Sequence, residues 1–398
     1  MEKPVSPDKA VKQFFSDTPP AGVGVGNVSE DETAAFIYPN EEKQLLFDID
    51  KIVSVSSYDG KTVYEYGRDY AVKDGKLTLT EGSAIPVMTP ELYYSPGEQP
   101  LLKVRRPDGS ESPCYFNESG TLGRYQIKVT YVHGTGNKFT EPGKGRYERF
   151  LQKLKSGKDV TVLFHGDSIT YGANASLTHN RAPYGPSFPI LFTCALARIY
   201  DYGVRFVLPE AEKAYGGPFP EEPKGKKGVI TLVNTAVGGW NSQNGVNSLE
   251  THILPQIKKY GCDLFVLGYG MNDGKTPPEK TASNCEKIVR GVLSLQKNAS
   301  ITLISTMLPN PDGIGWFANQ RVQEPELVKL SEKLNAEGTE CDVAKMTSVS
   351  KKILKRKKFI DITGNNINHP NDYLSRVYAA SLMLTLTGRE TVTGEDTP

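Results

Sequence analysis

The sequence predicts two kinds of structure in one chain: an all-β N-terminal part, sandwich- or jelly-roll-like, and behind it an α/β domain built on a mostly parallel sheet. Three observations carry this. Residues from about 45 to 133 alternate apolar and polar side chains, with Asp-Gly turns between the runs. From about residue 147 strand-like segments alternate with helical ones, a pattern that gives a parallel sheet covered on both faces. Between them, "HGTGNKFTEPGKG" (133–145) is rich in Gly, Pro and Lys and reads as a linker. The expected division is therefore 1–140 for a β-sandwich accessory domain and 146–398 for the α/β domain.

In the first part, "VSVSSYDGKTVYEY" and "YAVKDGKLTLT" each set Asp-Gly between strand-like runs, the signal of a tight hairpin. "YQIKVTYV" alternates Tyr125, Ile127, Val129 and Tyr131 against Gln126, Lys128 and Thr130, a half-buried strand. In the second part, strands are expected in "DVTVLFHG", "GVITLVNTAVGG", "CDLFVLGYG" and "SITLISTM". Helices are expected in "YERFLQKLKSG", "SFPILFTCALARIYDYG" and "THILPQIKKYG", then over 278–297, 322–337, 342–356 and 372–386. The stretch 208–228 reads as a long surface loop.

Composition narrows the function classes. The 398 residues are 38% hydrophobic and 23% charged, with 47 Lys plus Arg against 46 Asp plus Glu. A balance so near neutrality argues against nucleic acid or an anionic membrane as partner, and no apolar run is long enough to span a bilayer. The start, MEKPVSPDKA, lacks the apolar core of a secretory signal, so the chain as given reads as cytoplasmic, or as a secreted chain whose leader has been trimmed. Five scattered cysteines with no CxxC make free buried thiols the default and predict neither a zinc site nor a disulfide framework. "AGVGVGN" (21–27) is not GxGxxG, and GxxxxGK[ST], GxSxG and HExxH are absent from the sequence.

Four segments fall where a parallel sheet would gather a site. "HGDSIT" (165–170), "NTAVGGWNS" (234–242) and "GYGMNDG" (268–274) each follow a strand, and "NNINHPND" (365–372) opens the last helix. They supply a serine, a glycine turn, an asparagine and a histidine. Acyl transfer needs a hydroxyl nucleophile, a base for its proton, and fixed donors where charge develops on the carbonyl oxygen. By itself, Gly-Asp-Ser after a strand is equally an ordinary helix cap.

In order and spacing these segments resemble the four blocks of the SGNH (GDSL-type) hydrolase superfamily, over about residues 147–390. The resemblance implies a three-layer α/β/α, flavodoxin-like domain and a metal-free, cofactor-free carboxylic ester hydrolase. It makes Ser168 the nucleophile, His369 the base, and the Ser168 and Gly239 backbone N–H groups with the Asn272 side chain the oxyanion hole. One position departs. The superfamily has Asp three residues before the histidine, and here that residue is Asn366. In serine proteases an Asp-to-Asn change at the histidine's partner costs about 10⁴ in kcat. A backbone carbonyl or the Asn366 amide would then orient His369 in a Ser–His dyad, Asp372 or Asp361 would supply the carboxylate, or the protein is a weak hydrolase. The dyad is the favoured expectation.

A β-sandwich before such a domain resembles the layout of microbial carbohydrate O-acetylesterases. That implies a serine acetylesterase acting on acetylated, plant-polysaccharide-derived oligosaccharides. The alternatives are a lipid esterase or thioesterase, or a carbohydrate-binding protein with a weakened site. Trp240 is either a packed core residue or a wall of the acyl pocket. Tyr93 and Tyr94 are either packed or a sugar platform. The basic run "KKILKRKK" (351–358) is expected to be a solvated helix face.

Overall fold

The computed structural model describes residues 28–95, 103–134, 143–208, 222–315 and 318–388. The centre of the expected linker (135–142), most of the expected loop (209–221) and "AGVGVGN" lie outside them.

The N-terminal strands are β1 (Val28–Ala35), β2 (Lys51–Ser57), β3 (Val63–Tyr64), β4 (Tyr70–Lys73), β5 (Lys76–Leu79), β6 (Lys103–Arg105), β7 (Glu111–Pro113) and β8 (Gln126–Val132). They form an antiparallel sheet in the order β1-β8-β2-β3 and two separate hairpins, β4-β5 and β6-β7. Both Asp-Gly sites lie in hairpins, but only the second is the two-residue turn expected: at Asp59-Gly60 only the glycine has positive φ, and the loop is longer, closed by the Ser57 N–H on the Thr62 carbonyl at 2.8 Å. Asp74 and Gly75 have φ of 49° and 71°, and Lys73 pairs with Lys76, so the two positive-φ residues alone turn the chain. In β8, Ile127, Val129 and Tyr131 are buried, as the alternation requires; Gln126 is buried as well, because its amide has work elsewhere.

The second part contributes β9 (Val160–Gly166), β10 (Gly203–Val207), β11 (Val229–Asn234), β12 (Leu264–Gly268), β13 (Ser300–Ile304) and β14 (Cys341–Ala344). All pair in parallel, in the order β10-β11-β9-β12-β13-β14. The helices Glu148–Lys155, Phe188–Tyr200, Leu254–Tyr260, Pro278–Leu295, Glu324–Ala336, Met346–Ile353 and Asp372–Thr387 accompany the sheet. Two strands were not anticipated. β10 is a short edge strand of alternating character, and β14 is four residues read as the start of a helix. Too few residues separate β14 from the helix Met346–Ile353 for periodicity to part them.

The central strand β9 is buried along its whole length, which is why "VTVLFHG" reads as a continuous apolar run. The order in which strands are added reverses beside it, since β11 lies on one side and β12 on the other. Open parallel sheets form their clefts at the carboxyl ends of such strands.

The two parts share one core. Ala34, Phe36, Ile127, Val129 and Tyr131 pack in the same cluster as Tyr147, Phe188, Val377 and Tyr378. Residues 357–371 thread through the seam. Lys357 is ion-paired with Glu32, both fully buried. Asp361 Oδ1 accepts from the Ala35 N–H at 2.8 Å and from Lys43 Nζ at 3.2 Å. Gln126 Nε2 donates to the carbonyls of Ile360 and Thr363 at 2.7 and 2.8 Å. Removing one partner of a buried ion pair typically costs about 3–5 kcal/mol, so these contacts hold a definite register between the parts. The basic run is therefore not simply a solvated face. Arg356 pairs with Asp48, Lys357 with Glu32, and Lys358 with Glu41.

Candidate active site

The turn that carries Ser168 is assembled by neighbours in the sheet. At the end of β9, Gly166 faces Gly268 of β12. A Cβ on Gly166 would lie 2.2 Å from the Gly268 carbonyl oxygen, so no larger residue fits. Asp167 then caps the short helix Ser168–Tyr171, its side chain accepting from the Ile169 N–H at 2.9 Å. Asn234, at the end of β11, donates to the Thr170 carbonyl at 3.0 Å and accepts from the Ala236 N–H at 3.0 Å. The cap reading and the nucleophile reading are thus compatible: Asp167 caps, and Ser168 is left at the first helical position. Burial pushes the Asp167 carboxyl up to about 7, against the Ile169 N–H and the nearby His369, which favour its charged form.

The glycine turn lies beside this serine. Val237 N–H donates to the Gly166 carbonyl at 3.0 Å, continuing the alignment with β9. A Cβ on Gly238 would come 3.9 Å from Ser168 Cβ. Gly239 follows with φ of 78°, a conformation costly for any residue with a Cβ. Asn272 reaches the same turn from beyond β12, donating through Nδ2 to the Trp240 carbonyl at 2.9 Å. The neighbouring Asp273 anchors Ser242, accepting from its Oγ at 2.6 Å and its N–H at 3.0 Å.

Trp240 packs against a second hydrophobic cluster that includes Val233, Leu267 and Tyr269, with its ring 5.3 Å from His252 and 6.2 Å from His165. His165 itself is fully buried between Thr235 and the Tyr269 hydroxyl, 2.8 Å from Nε2. Burial, with His252 nearby, holds its ring down at about 3, so it is a neutral structural histidine. Tyr93 is buried, and Tyr94 stacks edge-on to it under Arg106. The pair lines a separate cleft of about 640 Å³ with Arg105, Arg106 and Lys358, one whose lining includes neither Ser168 nor His369.

His369 meets the serine: Nε2 is 2.8 Å from Ser168 Oγ, and both residues are nearly buried. On the other side of the ring, Nδ1 lies 2.6 Å from Asn174 Oδ1 and 3.1 Å from Glu118 Oε2. Both are acceptors, since Asn174 directs its Nδ2 at the Gly364 carbonyl, 3.4 Å away. Nδ1 therefore carries the proton, and Nε2 is free to accept one.

The groups expected to orient His369 are all elsewhere. Asn366 sits at φ 67° and donates to Cys114 Sγ at 3.0 Å and to the Tyr115 carbonyl at 3.1 Å. Asp372 accepts from Ser176 Oγ at 2.6 Å and from the Ser176 N–H at 2.8 Å. Asp361 belongs to the seam. The partners actually present are Asn174 and Glu118. Asn174 lies six residues past the serine, in a turn of the "GDSITYGAN" segment at φ 64°, which asparagine tolerates better than most residues. Glu118 comes from "CYFNESG", 251 residues before the histidine, and carries no local signal. Burial alone would raise its carboxyl, yet the hydrogen bond and charge of His369, with the Asn365 amide and His179, hold it below the ordinary glutamate value.

The fold and this geometry define a class: an α/β/α protein with a hydrogen-bonded serine–histidine pair at the carboxyl edge of a parallel sheet. Comparison with protein families and with curated protein sequences finds no match. Solved structures are similar at low identity. A two-domain esterase active on acetylated mannans, crystallised with mannopentaose, shares 18% identity at a TM-score of 0.42, over 65% of this chain and 57% of that one. An acetylxylan esterase from Geobacillus stearothermophilus, solved as a catalytic mutant, shares 13% at 0.39, over 59% and 97%. The lipase/acylhydrolase from Enterococcus faecalis shares 16% at 0.37, over 58% and 96%. The chain thus spans a little over half the length of the two-domain esterase.

Proposed function

We propose that the protein is a serine esterase that removes short acyl groups, acetate first among them, from carbohydrates, and that the N-terminal β part belongs to the same working unit. The observation that carries the reaction is the 2.8 Å contact between Ser168 Oγ and His369 Nε2, with the Nδ1 proton held on the far side of the ring. Ser168 Oγ attacks the ester carbonyl carbon as its proton passes to Nε2. The carbonyl oxygen takes up the negative charge, and the N–H groups of Ser168 and Gly239 with the Asn272 amide are its donors. Collapse breaks the bond to the leaving alcohol, whose oxygen takes the proton from Nε2 and leaves an acyl-serine. Water, deprotonated by the same nitrogen, then releases the acid and restores the hydroxyl.

The carbohydrate assignment rests on the arrangement of a β part before the α/β domain, which resembles that of microbial carbohydrate acetylesterases. It is an argument from architecture. The test is acetate release from acetylated xylan, mannan and pectin oligosaccharides by wild type and by Ser168→Ala. Release from at least one of them, reduced about 10⁴- to 10⁶-fold by the substitution, is expected. Aryl esters of increasing chain length separate this reading from a lipid esterase. A rate maximum at acetate supports the proposal, and one at eight carbons or more overturns the substrate class.

A further inference from the structure

We propose that Glu118, delivered from the N-terminal β part, is the carboxylate partner of His369, and that Asn366 clamps the segment that presents it. The inference deepens the esterase reading and rests on it.

Geometry divides the work on Nδ1 between two acceptors. The closer, Asn174 Oδ1 at 2.6 Å, is neutral; it fixes ring orientation and tautomer. The farther, Glu118 Oε2 at 3.1 Å, brings the negative charge that stabilises the imidazolium formed when the serine loses its proton. Glu118 is held for this purpose rather than resting there by chance. Its Oε1 accepts from Asn365 Nδ2 at 3.1 Å. The Oδ1 of that same Asn365 accepts the backbone N–H groups of Ile367, Asn368 and His369 at 3.0, 3.0 and 3.1 Å. One asparagine therefore couples the carboxylate to the loop that carries the base.

The residue at the superfamily's usual acid position serves the same end. Asn366 Nδ2 donates to Cys114 and Tyr115, four and three residues before Glu118 in the chain. An aspartate there has no donor to offer that carbonyl. The carboxylate has moved to the other side of the seam, and the amide left behind ties down its new support. The N-terminal β part is on this account a component of the catalytic apparatus and not an appendage.

Glu118 acts through His369 and is a positioning residue, so its test needs a readout that a merely structural contact would leave unmoved. The charged and titratable groups facing His369 are Glu118, Asp167 and His179. The probe is 4-nitrophenyl acetate, with wild type, Glu118→Gln, Glu118→Asp and Ser168→Ala assayed from pH 5 to 9 and melted alongside. Because Asn174 keeps the tautomer and the Glu118 side chain is 44% exposed, Glu118→Gln is expected to lose about 10- to 100-fold in kcat, short of the 10⁴ of a lost tautomer. KM and Tm stay near wild type, and the acidic limb of kcat/KM moves to lower pH. Glu118→Asp retains more rate than Glu118→Gln, since charge and not shape is the requirement. A Glu118→Gln enzyme with wild-type kcat and an unmoved acidic limb overturns the proposal while Ser168-dependent turnover leaves the esterase standing. Turnover that survives Ser168→Ala overturns the esterase reading itself.

Discussion

Two regions of this molecule meet at one hydrogen bond, and they are built in opposite ways. The turn at Ser168 is local. Gly166, Asp167 and Ser168 are consecutive, and the residues that brace them, Asn234, Val237 and Gly268, stand at the ends of the two strands flanking β9. The surroundings of His369 are remote. The ring is held by Asn174 from just past the Ser168 turn, by Glu118 from the β part, and by its own loop through Asn365. A parallel sheet brings strand ends together whatever the loops do. A histidine loop has no such lattice and must be pinned by whatever packs on it. The seam with the β part provides that packing here.

The largest effect is expected at Asn174. If remote partners set the histidine, Asn174→Ala removes the closest acceptor of Nδ1 and should cost about 10² to 10³ in kcat, more than Glu118→Gln but less than the 10⁴ of a lost tautomer, because ring orientation is loosened while Glu118 still accepts from Nδ1. Single-turnover kinetics with 4-nitrophenyl acetate measure the acylation step. An Asn174→Ala enzyme acylating at the wild-type rate would mean that Glu118 or the loop alone suffices.

The local region makes its own prediction, in stability. Burial raises the Asp167 carboxyl to about 7, so its contribution to stability is full below about pH 3.8 and is lost as pH rises through 7. Burial lowers His165 to about 3, so its contribution is full above about pH 6.5 and is lost as pH falls through 3. Two residues apart on one strand end, they oppose each other over nearly the same range. Asp167→Asn keeps an acceptor for the Ile169 N–H and removes one arm. The variant should gain on the order of 2–4 kcal/mol over wild type at pH 8 and lose that advantage toward pH 4. Urea melts at pH 4, 5.5 and 8 report it, and parallel curves for the two proteins would contradict it.

The smallest effect expected is at the glycine turn. A Cβ on Gly239 meets nothing within 4 Å, and alanine keeps the backbone N–H, so Gly239→Ala should cost only the positive-φ penalty, about 1–2 kcal/mol, with kcat within a few-fold. A drop of 10²-fold or more in kcat at unchanged Tm would show that this turn tolerates far less than the space around it suggests.

Much of this was legible in the residues. The hairpins at Asp59-Gly60 and Asp74-Gly75, the alternation of β8 and the apolar run of β9 each announce themselves through local chemistry. So do Ser168 and His369, which stand in short motifs at a strand end and a helix start. The strands β10 and β14 were not legible, being too short for a period to emerge. Nor was Glu118, which has no motif and whose partner lies 251 residues away. Asn366 does not face His369 but donates to Cys114 and Tyr115, and the acceptors beside the ring come from Asn174 and Glu118.

The class of fold and the segments that carry Ser168 and His369 are written in the sequence, because hydrophobic periodicity, turn residues and short motifs act over a few positions. Only the tertiary structure decided which groups surround His369. That choice depends on two β-rich and α/β parts sharing one core and on the buried bonds of residues 357–371 that set their register. Side chains far apart in sequence meet only once that packing is complete, and no local pattern encodes the meeting.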